Sequence, residues 1–256
     1  MKALFLGTSA AVPSARRSHV SFVLWAGRPL LVECGPTTPW QLIRAGVDHR
    51  AIEDVFISHV HGDHSLGLPM FFMLGQLEGR EWPLRVHCPE SAVPQLKTIC
   101  ATCYPSEVEL VEQKLVWTGL PAAATVPREL AGAVRLSGAP GIHPVPDVAF
   151  RFDFDGHSLV YSGDTAPAAA VRDLARGADL LLHDATWSES IDGQASPDHS
   201  SCRQAGRLAA EAGVGRLGLV HLNYRYLGRE AELRAEAAEV FGGEVLIPND
   251  GDELEI

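Results

Sequence analysis

Four residues within six positions, His59, His61, Asp63 and His64, stand in the segment Ile57-Ser58-His59-Val60-His61-Gly62-Asp63-His64. Imidazole nitrogens and carboxylate oxygens are the donors that zinc and other first-row divalent metals take. Packed this closely, they point to a metal site rather than to a polar turn whose histidines face water. Metal ions held there would activate water near neutral pH and stabilise negative charge on an attacked ester. The chemistry in view is metal-assisted hydrolysis.

Such donors need a rigid mount. The segment follows an apolar run, Asp54–Ile57, that reads as a strand, and it precedes an apolar helical stretch, Leu66–Gln76. A strand-to-helix turn can aim several side chains at one point beyond a sheet edge. Met70, Phe71, Phe72 and Met73 on that helical stretch read as core rather than as the wall of a pocket. Further strands are expected at Ala3–Leu6, Ser21–Trp25, Pro29–Glu33, Leu84–His87, Val134–Leu136, Val148–Phe152, Ser158–Tyr161, Leu180–His183, Leu217–Val220 and Glu244–Ile247. Helices are expected at Thr38–Ala45, Ser91–Cys100, Ala168–Ala175, Ser201–Ala212 and Arg229–Val240. The helix from Ser201 is the best marked. Ser201 and Gln204 have capping-box spacing, Ala205, Leu208, Ala209 and Ala212 form one apolar face, and Gly213 supplies a stop. Early strands look hairpin-like and later ones are separated by helices, which suggests sheets covered by helices on their outer faces. The Ala-, Pro- and Gly-rich stretch Thr118–Gly141 reads as a loop region, and no Pro/Ser-rich linker divides residues 1–256, so one domain is expected.

Bulk properties narrow the partners. The formal net charge is −11, from 32 acidic and 21 basic residues. That disfavours a broad basic surface for nucleic acid, although bound cations would reverse the charge locally. Nothing approaches an unbroken apolar membrane span. The opening MKALFLGTSAAVPSARR is interrupted at Gly7, Thr8 and Ser9 and reads as strand and turn rather than as a signal peptide, so a cytoplasmic protein is expected. Five cysteines fit reduced thiols better than disulfides. Cys100 and Cys103 form a lone CxxC with Cys88 and His87 upstream; no second CxxC exists, and buried, unligated thiols are expected.

The HxHxDH segment after a strand resembles the hallmark of the metallo-β-lactamase superfamily, and the resemblance runs along nearly the whole chain. Leu6-Gly7-Thr8-Ser9-Ala10-Ala11-Val12-Pro13 looks like the opening of its ribonuclease Z-like branch, and Val32-Glu33-Cys34-Gly35 like the second hairpin, with Glu33 and Cys34 where Asp is usual. The resemblance implies an αββα fold, α/β in class, with two mixed β-sheets flanked by helices. It also implies a dinuclear centre of two divalent ions, zinc first, with Mn2+ or Fe2+ accepted by the same ligands. Ile142-His143-Pro144-Val145-Pro146 is similar to the third motif, making His143 a ligand of the first metal with His59 and His61. Tyr161-Ser162-Gly163-Asp164-Thr165 is very close to the family's SGDT, so Asp164 would bridge both metals. Leu219-Val220-His221-Leu222-Asn223 would place His221 on the second metal beside Asp63 and His64. Asp198-His199-Ser200-Ser201 resembles the GHST segment, although Asp198 replaces Gly; Asp63 and His199 are the residues expected to carry catalysis, His199 by protonating the departing oxygen. His183 and Asp184 are candidates for support behind the ligands only, while His19, His49, His87 and His157 have no supporting context.

The resemblance also bears on substrate. Ribonuclease Z trims the 3′ end of precursor tRNA, and a long arm that clamps tRNA lies between its third-motif His and its bridging Asp. Here His143 and Asp164 are 21 positions apart, and two strands around Asp155-Gly156 fill the space. A small anionic ester is therefore expected, such as a cyclic nucleotide, a cyclic phosphate or another compact phosphodiester, with nucleic acid disfavoured. The alternatives are a ribonuclease Z-type tRNA endonuclease, a hydrolase of a sulfate ester or lactone, and a non-catalytic metal-binding accessory protein. Ribonuclease Z-like proteins are often homodimers.

Overall fold

Along β1 (Lys2–Gly7) the side chains alternate between two interiors, as a strand's two-residue period requires. Ala3 and Phe5 enter the core between the sheets, whereas Leu4 and Leu6 enter a second core beneath helices. In this computed structural model, which describes residues 1–81, 83–121, 123, 127–193 and 196–256, the same alternation repeats throughout. The strands after β1 are β2 (Ser21–Trp25), β3 (Pro29–Val32), β4 (Asp54–Phe56), β5 (Leu84–Pro89), β6 (Leu115–Leu120) and β7 (Arg128–Glu129). They continue with β8 (Arg135–Pro140), β9 (Val148–Phe154), β10 (His157–Tyr161), β11 (Leu180–Asp184), β12 (Arg216–Val220), β13 (Glu244–Leu246) and β14 (Glu253–Glu255). One sheet has the order β14-β1-β2-β3-β4-β5-β6 and the other β13-β12-β11-β10-β9-β8-β7. Each sheet mixes antiparallel and parallel pairs.

The helices are α1 (Thr38–Arg44), α2 (Gly62–Ser65), α3 (Leu68–Leu77), α4 (Val93–Cys103), α5 (Val108–Lys114), α6 (Ala169–Leu174), α7 (Glu189–Asp192), α8 (Cys202–Ala212) and α9 (Glu230–Ala238). Leu42, Phe71, Phe72 and Leu96 bring α1, α3 and α4 onto the outer face of the first sheet. Ala205, Leu208 and Leu233 do the same for α8 and α9 on the second. Between the sheets Phe56 meets Phe152 edge-on at 4.9 Å and Phe22 meets Tyr161 at 5.6 Å. Each fully buried Phe or Leu contributes about 1.5–3 kcal/mol. The layering is αββα, as expected. No described helix is long and apolar enough to cross a membrane.

Several expectations need correction. The helix expected over 66–76 begins instead at Leu68 and runs to Leu77 as α3, with Gly67 as its N-cap and Pro69 in its first turn, and the separate short α2 precedes it within the donor turn. Phe71 and Phe72 are core, but Met70 is 53% exposed. The region 118–141 is not merely loop: β6 runs through Leu120, β7 is a two-residue ladder and β8 spans Arg135–Pro140, while residues 122 and 124–126 lie outside the described set. The helix expected from Ser91 begins at Val93 and continues to Cys103, whose thiol is exposed; Cys34, Cys88, Cys100 and Cys202 are buried. The capping box of α8 forms as read, with Ser201 and Gln204 each satisfying the other's backbone N–H.

Candidate functional site

Beyond Phe56, the last residue of β4, the chain is fixed residue by residue. Ile57 N–H donates to His87 O at 2.8 Å, and Val148 N–H donates to Ser58 O at 3.0 Å. Ser65 closes the turn by donating to Val60 O and His61 O at 3.0 and 2.9 Å. Cys34 and His64 pair through their backbones at 2.8 Å, which holds the turn against the end of β3. Gly35 permits that approach: a Cβ there would lie 1.9 Å from Asp63 O.

The other donors arrive at the same edge. Asp164 follows β10, His221 follows β12, and His143 follows β8 after a short loop. His221 takes a left-handed backbone, φ 58°, and Glu33 does too, φ 61°. For such side chains that conformation is a cost of about 1–3 kcal/mol, which clusters at functional sites.

The structure brings all seven residues together. His61 Nδ1 and His143 Nε2 are 3.1 Å apart, and His59 Nε2 is 3.8 Å from Asp164 Oδ2. On the other side Asp63 Oδ2 lies 3.2 Å from both His64 Nε2 and His221 Nε2. Those two nitrogens are 3.3 Å from each other and each 3.3 Å from Asp164 Oδ2. His59, His61, His143 and Asp164 form one group and Asp63, His64, His221 and Asp164 a second, with Asp164 common to both.

These separations test whether a cation fits. Donors about 2.0–2.1 Å from a tetrahedral zinc stand roughly 3.3–3.4 Å from one another. The second group reproduces that edge, and the His61–His143 pair of the first lies close to it. His59 Nε2 and Asp164 Oδ1 are buried and have no hydrogen-bond partner among the described residues, so both are free to take a cation. Most of these imidazoles use Nδ1 for support and aim Nε2 inward. His59 Nδ1 meets Ser58 Oγ at 2.9 Å and Asp147 Oδ2 at 3.1 Å, and His64 Nδ1 lies 3.3 Å from Glu33 Oε1. His221 Nδ1 meets Thr186 Oγ1 at 2.7 Å, and His143 Nδ1 meets Asp198 O at 3.1 Å. His61 is reversed and presents Nδ1.

Protonation favours ligation on one side and must be displaced on the other. Burial, then crowding by other imidazoles, holds His59 and His61 below the ordinary histidine value, in the neutral form that metals bind. Burial would likewise discharge His64, but Asp164 and Glu33 outweigh it and raise the group, so a cation must replace its proton. Burial alone would raise Asp63 and Asp164; His221 and His64 keep both carboxylates ionised.

His199 stands beside the donors. Its ring centre is 5.1 Å from that of His143 and 5.5 Å from that of His221, and its Nδ1 is 2.9 Å from Asp184 Oδ2. Burial opposes its charge, yet Asp184 prevails and lifts the imidazole to about 9. Asp184 is itself anchored by the N–H groups of Thr165 and Thr186 and by the Thr186 hydroxyl. His183 bonds to Asp184 O and belongs to neither donor group. His87, which has no motif around it, is a structural partner: it lies 2.7 Å from buried Asp54 and stacks on Phe56.

Sequence reasoning missed Asp147, Thr186 and the support role of Glu33. Glu33 stood out in the sequence only as a departure from a motif. Asp147 sits in a proline-rich loop and carried no signal.

Comparison with known proteins adds to this geometry. Residues 28–222 match the family described as "Beta-lactamase superfamily domain". The Ribonuclease Z of Natronomonas pharaonis is 31% identical, covering all of this chain and 98% of the relative. The metallo-β-lactamase fold protein YhfI of Bacillus subtilis superposes with a TM-score of 0.80 at 28% identity, covering 99% of both chains. The short form of human tRNase Z superposes with a TM-score of 0.80 at 24% identity, over all of this chain and 99% of that one.

Proposed function

Because the chain belongs to the metallo-β-lactamase superfamily, in its ribonuclease Z-like branch, we propose that it is a metal-dependent phosphodiester hydrolase acting on RNA as ribonuclease Z does. The observation that carries this reading is the pair of donor groups sharing Asp164, with the Asp184–His199 pair beside them. His59, His61, His143 and Asp164 would hold one divalent cation, and Asp63, His64, His221 and Asp164 another. Zinc suits this nitrogen-rich set best, with manganese or iron as alternatives. When bound, the cations supply Lewis acidity and an activated water.

The chain's own residues do the rest. Asp164 couples the two groups, so a change at one is felt at the other. Asp184 keeps His199 protonated and fixes its ring, so that Nε2 can deliver a proton to the departing ribose oxygen. Tyr224 stands three residues after His221 and is 50% exposed; Ile142, just before His143, is 51% exposed. The exposed Tyr224 ring, close in sequence to a donor, suits a stacked base. Acting on RNA accords with a cytoplasmic location, as do the free thiols. The whole chain would work as one domain, and Trp40, Ile43 and Met70, exposed on the neighbouring helices α1 and α3, support a homodimer.

The expectation of a small ester gives way here, since relatives that cover the whole chain are named for ribonuclease activity. It survives as a second reading on one observation. The β9–β10 hairpin turns on two residues, Asp155 (φ 51°) and Gly156 (φ 79°), so nothing protrudes between His143 and Asp164. The alignment to the Natronomonas relative runs over 304 positions against 256 here, so at least 48 positions of it face no residue of this chain. Incubating the zinc-loaded protein with a precursor tRNA and with 2′,3′-cyclic nucleotides separates the readings. Cleavage of the transcript at its 3′ trailer supports the first; turnover of the cyclic nucleotides alone replaces it with the second.

A further inference from the structure

Asp147 is a carboxylate with an entirely buried side chain, and it lies behind the donors, not among them. Its Oδ2 is 3.1 Å from His59 Nδ1 and accepts the backbone N–H of Asp164 at 3.2 Å. Its Oδ1 has no partner among the described residues. The backbone around it is cleared to make room. A Cβ on Gly163, whose φ is +62°, would stand 2.5 Å from both carboxylate oxygens, and one on Gly141 would stand 2.8 Å from Oδ1.

Burying a carboxylate costs several kcal/mol unless charge and hydrogen bonds repay it. Two donors do not repay it, and the nearest charged neighbours include Asp164 and Glu33, which repel. A loop staple alone would be better served by Asn or Ser. The position makes sense where positive charge lies just beyond His59.

We propose that Asp147 is a positioning residue of the first cation site: beside Ser58 Oγ, which meets the same nitrogen at 2.9 Å, it fixes His59 with Nε2 facing inward and, through the Asp164 N–H, sets the shared carboxylate in register with it. This rests on the metal-binding reading given above. Carboxylate support behind a ligating histidine typically changes metal affinity by about 10–100-fold.

The test is metal binding by the full chain stripped of metal, with Co2+ as the probe against a competing chelator, together with the melting temperature of the metal-free protein. Asp147→Asn keeps the shape and removes the charge, and Asp147→Ala removes the acceptor as well. The expected result is Co2+ binding about 10–100-fold weaker at one site in Asp147→Asn, an altered visible spectrum at that site, and a metal-free protein that melts at or above the wild-type temperature. Asp147→Ala should bind more weakly still. Wild-type affinity in both folded variants would overturn the inference, and so would a metal-free melting temperature that falls in step with affinity, which marks a staple. A wild-type chain that binds no Co2+ would instead sink the metal-binding reading, and this inference with it.

Discussion

Replacing His199 with Ala separates proton delivery from everything else in the site. His199 Nδ1 is 2.9 Å from Asp184 Oδ2, and its ring lies beside those of His143 and His221 without joining either of the two four-residue donor groups described above. If it protonates the departing oxygen, its removal should cost about 10²–10⁴-fold on RNA, whose ribose oxygen leaves poorly without a proton. The same variant should lose little on bis-p-nitrophenyl phosphate, because p-nitrophenolate is stable as an anion. The pH profile carries the same signature. An acid must be protonated to act, so this contribution is complete at low pH and fades as pH rises through the raised value near 9. Bound cations would draw that limb downward in both wild type and variant, so the comparison is between them. In Asp184→Asn the first of the raising influences is lost and the limb moves to lower pH. A fall from about 9 to about 6.5 would reduce the protonated fraction at about pH 8 by roughly 30-fold. Rates on both substrates across pH, with metal content checked in each variant, decide the matter. Equal losses of His199→Ala on RNA and on the activated ester would refute proton delivery and leave His199 a substrate-binding or structural group.

Three further outcomes follow from the same geometry. Asp63→Ala should retain about one equivalent of metal in place of about two and lose turnover, read by elemental analysis, since Asp63 belongs to one donor group alone. Asp54→Ala should destabilise by about 3–5 kcal/mol by stranding Arg28, Arg85 and His87 around a buried gap. Burial would raise the Asp54 carboxyl, but Arg85 and His87 hold it far below the carboxylate range; its stabilisation is therefore present above the ordinary carboxylate value and lost as pH falls, which denaturant titration at acid and neutral pH measures. Ser201→Ala removes the α8 cap and should cost about 1 kcal/mol by the same denaturant assay.

What could be read in advance was what is local or ordered along the chain. The α8 cap needs only Ser201 and Gln204, and the donor turn needs only six consecutive positions. His143, Asp164 and His221 say little singly, yet each ends an apolar run in the order the fold uses, and the backbone delivers them to one edge. The misses have physical reasons. Strand β6 is partly exposed, with Val116 at 44%, so its sequence lacks the signal of an interior strand. The break at Gly67 is dictated by packing on Gly35 O, where a Cβ would lie 2.0 Å away, and no periodicity reports that contact. Asp147 became meaningful only once Gly163 and His59 were seen against it. A carboxylate in a proline-rich loop otherwise reads as a turn.

The buried charges of the site make sense only as a set. Asp63, Asp164, Glu33 and Asp147 bring four carboxylates into one small interior. Without cations that arrangement is costly: burial, Asp164 and Glu33 push Asp147 well above the carboxylate range, and His64 must stay charged to offset its neighbours. Two divalent cations would balance the four carboxylates and let His64 ligate as the neutral imidazole, while His199 and Asp184 neutralise each other. The loaded centre would then be close to neutral overall, in a chain that is otherwise strongly acidic. A chain of net charge −11 would thus draw a phosphodiester mainly at the point where the reaction occurs. With 32 acidic against 21 basic residues in the chain, affinity for RNA should depend on the loaded metals more than on salt-sensitive contacts along the strand.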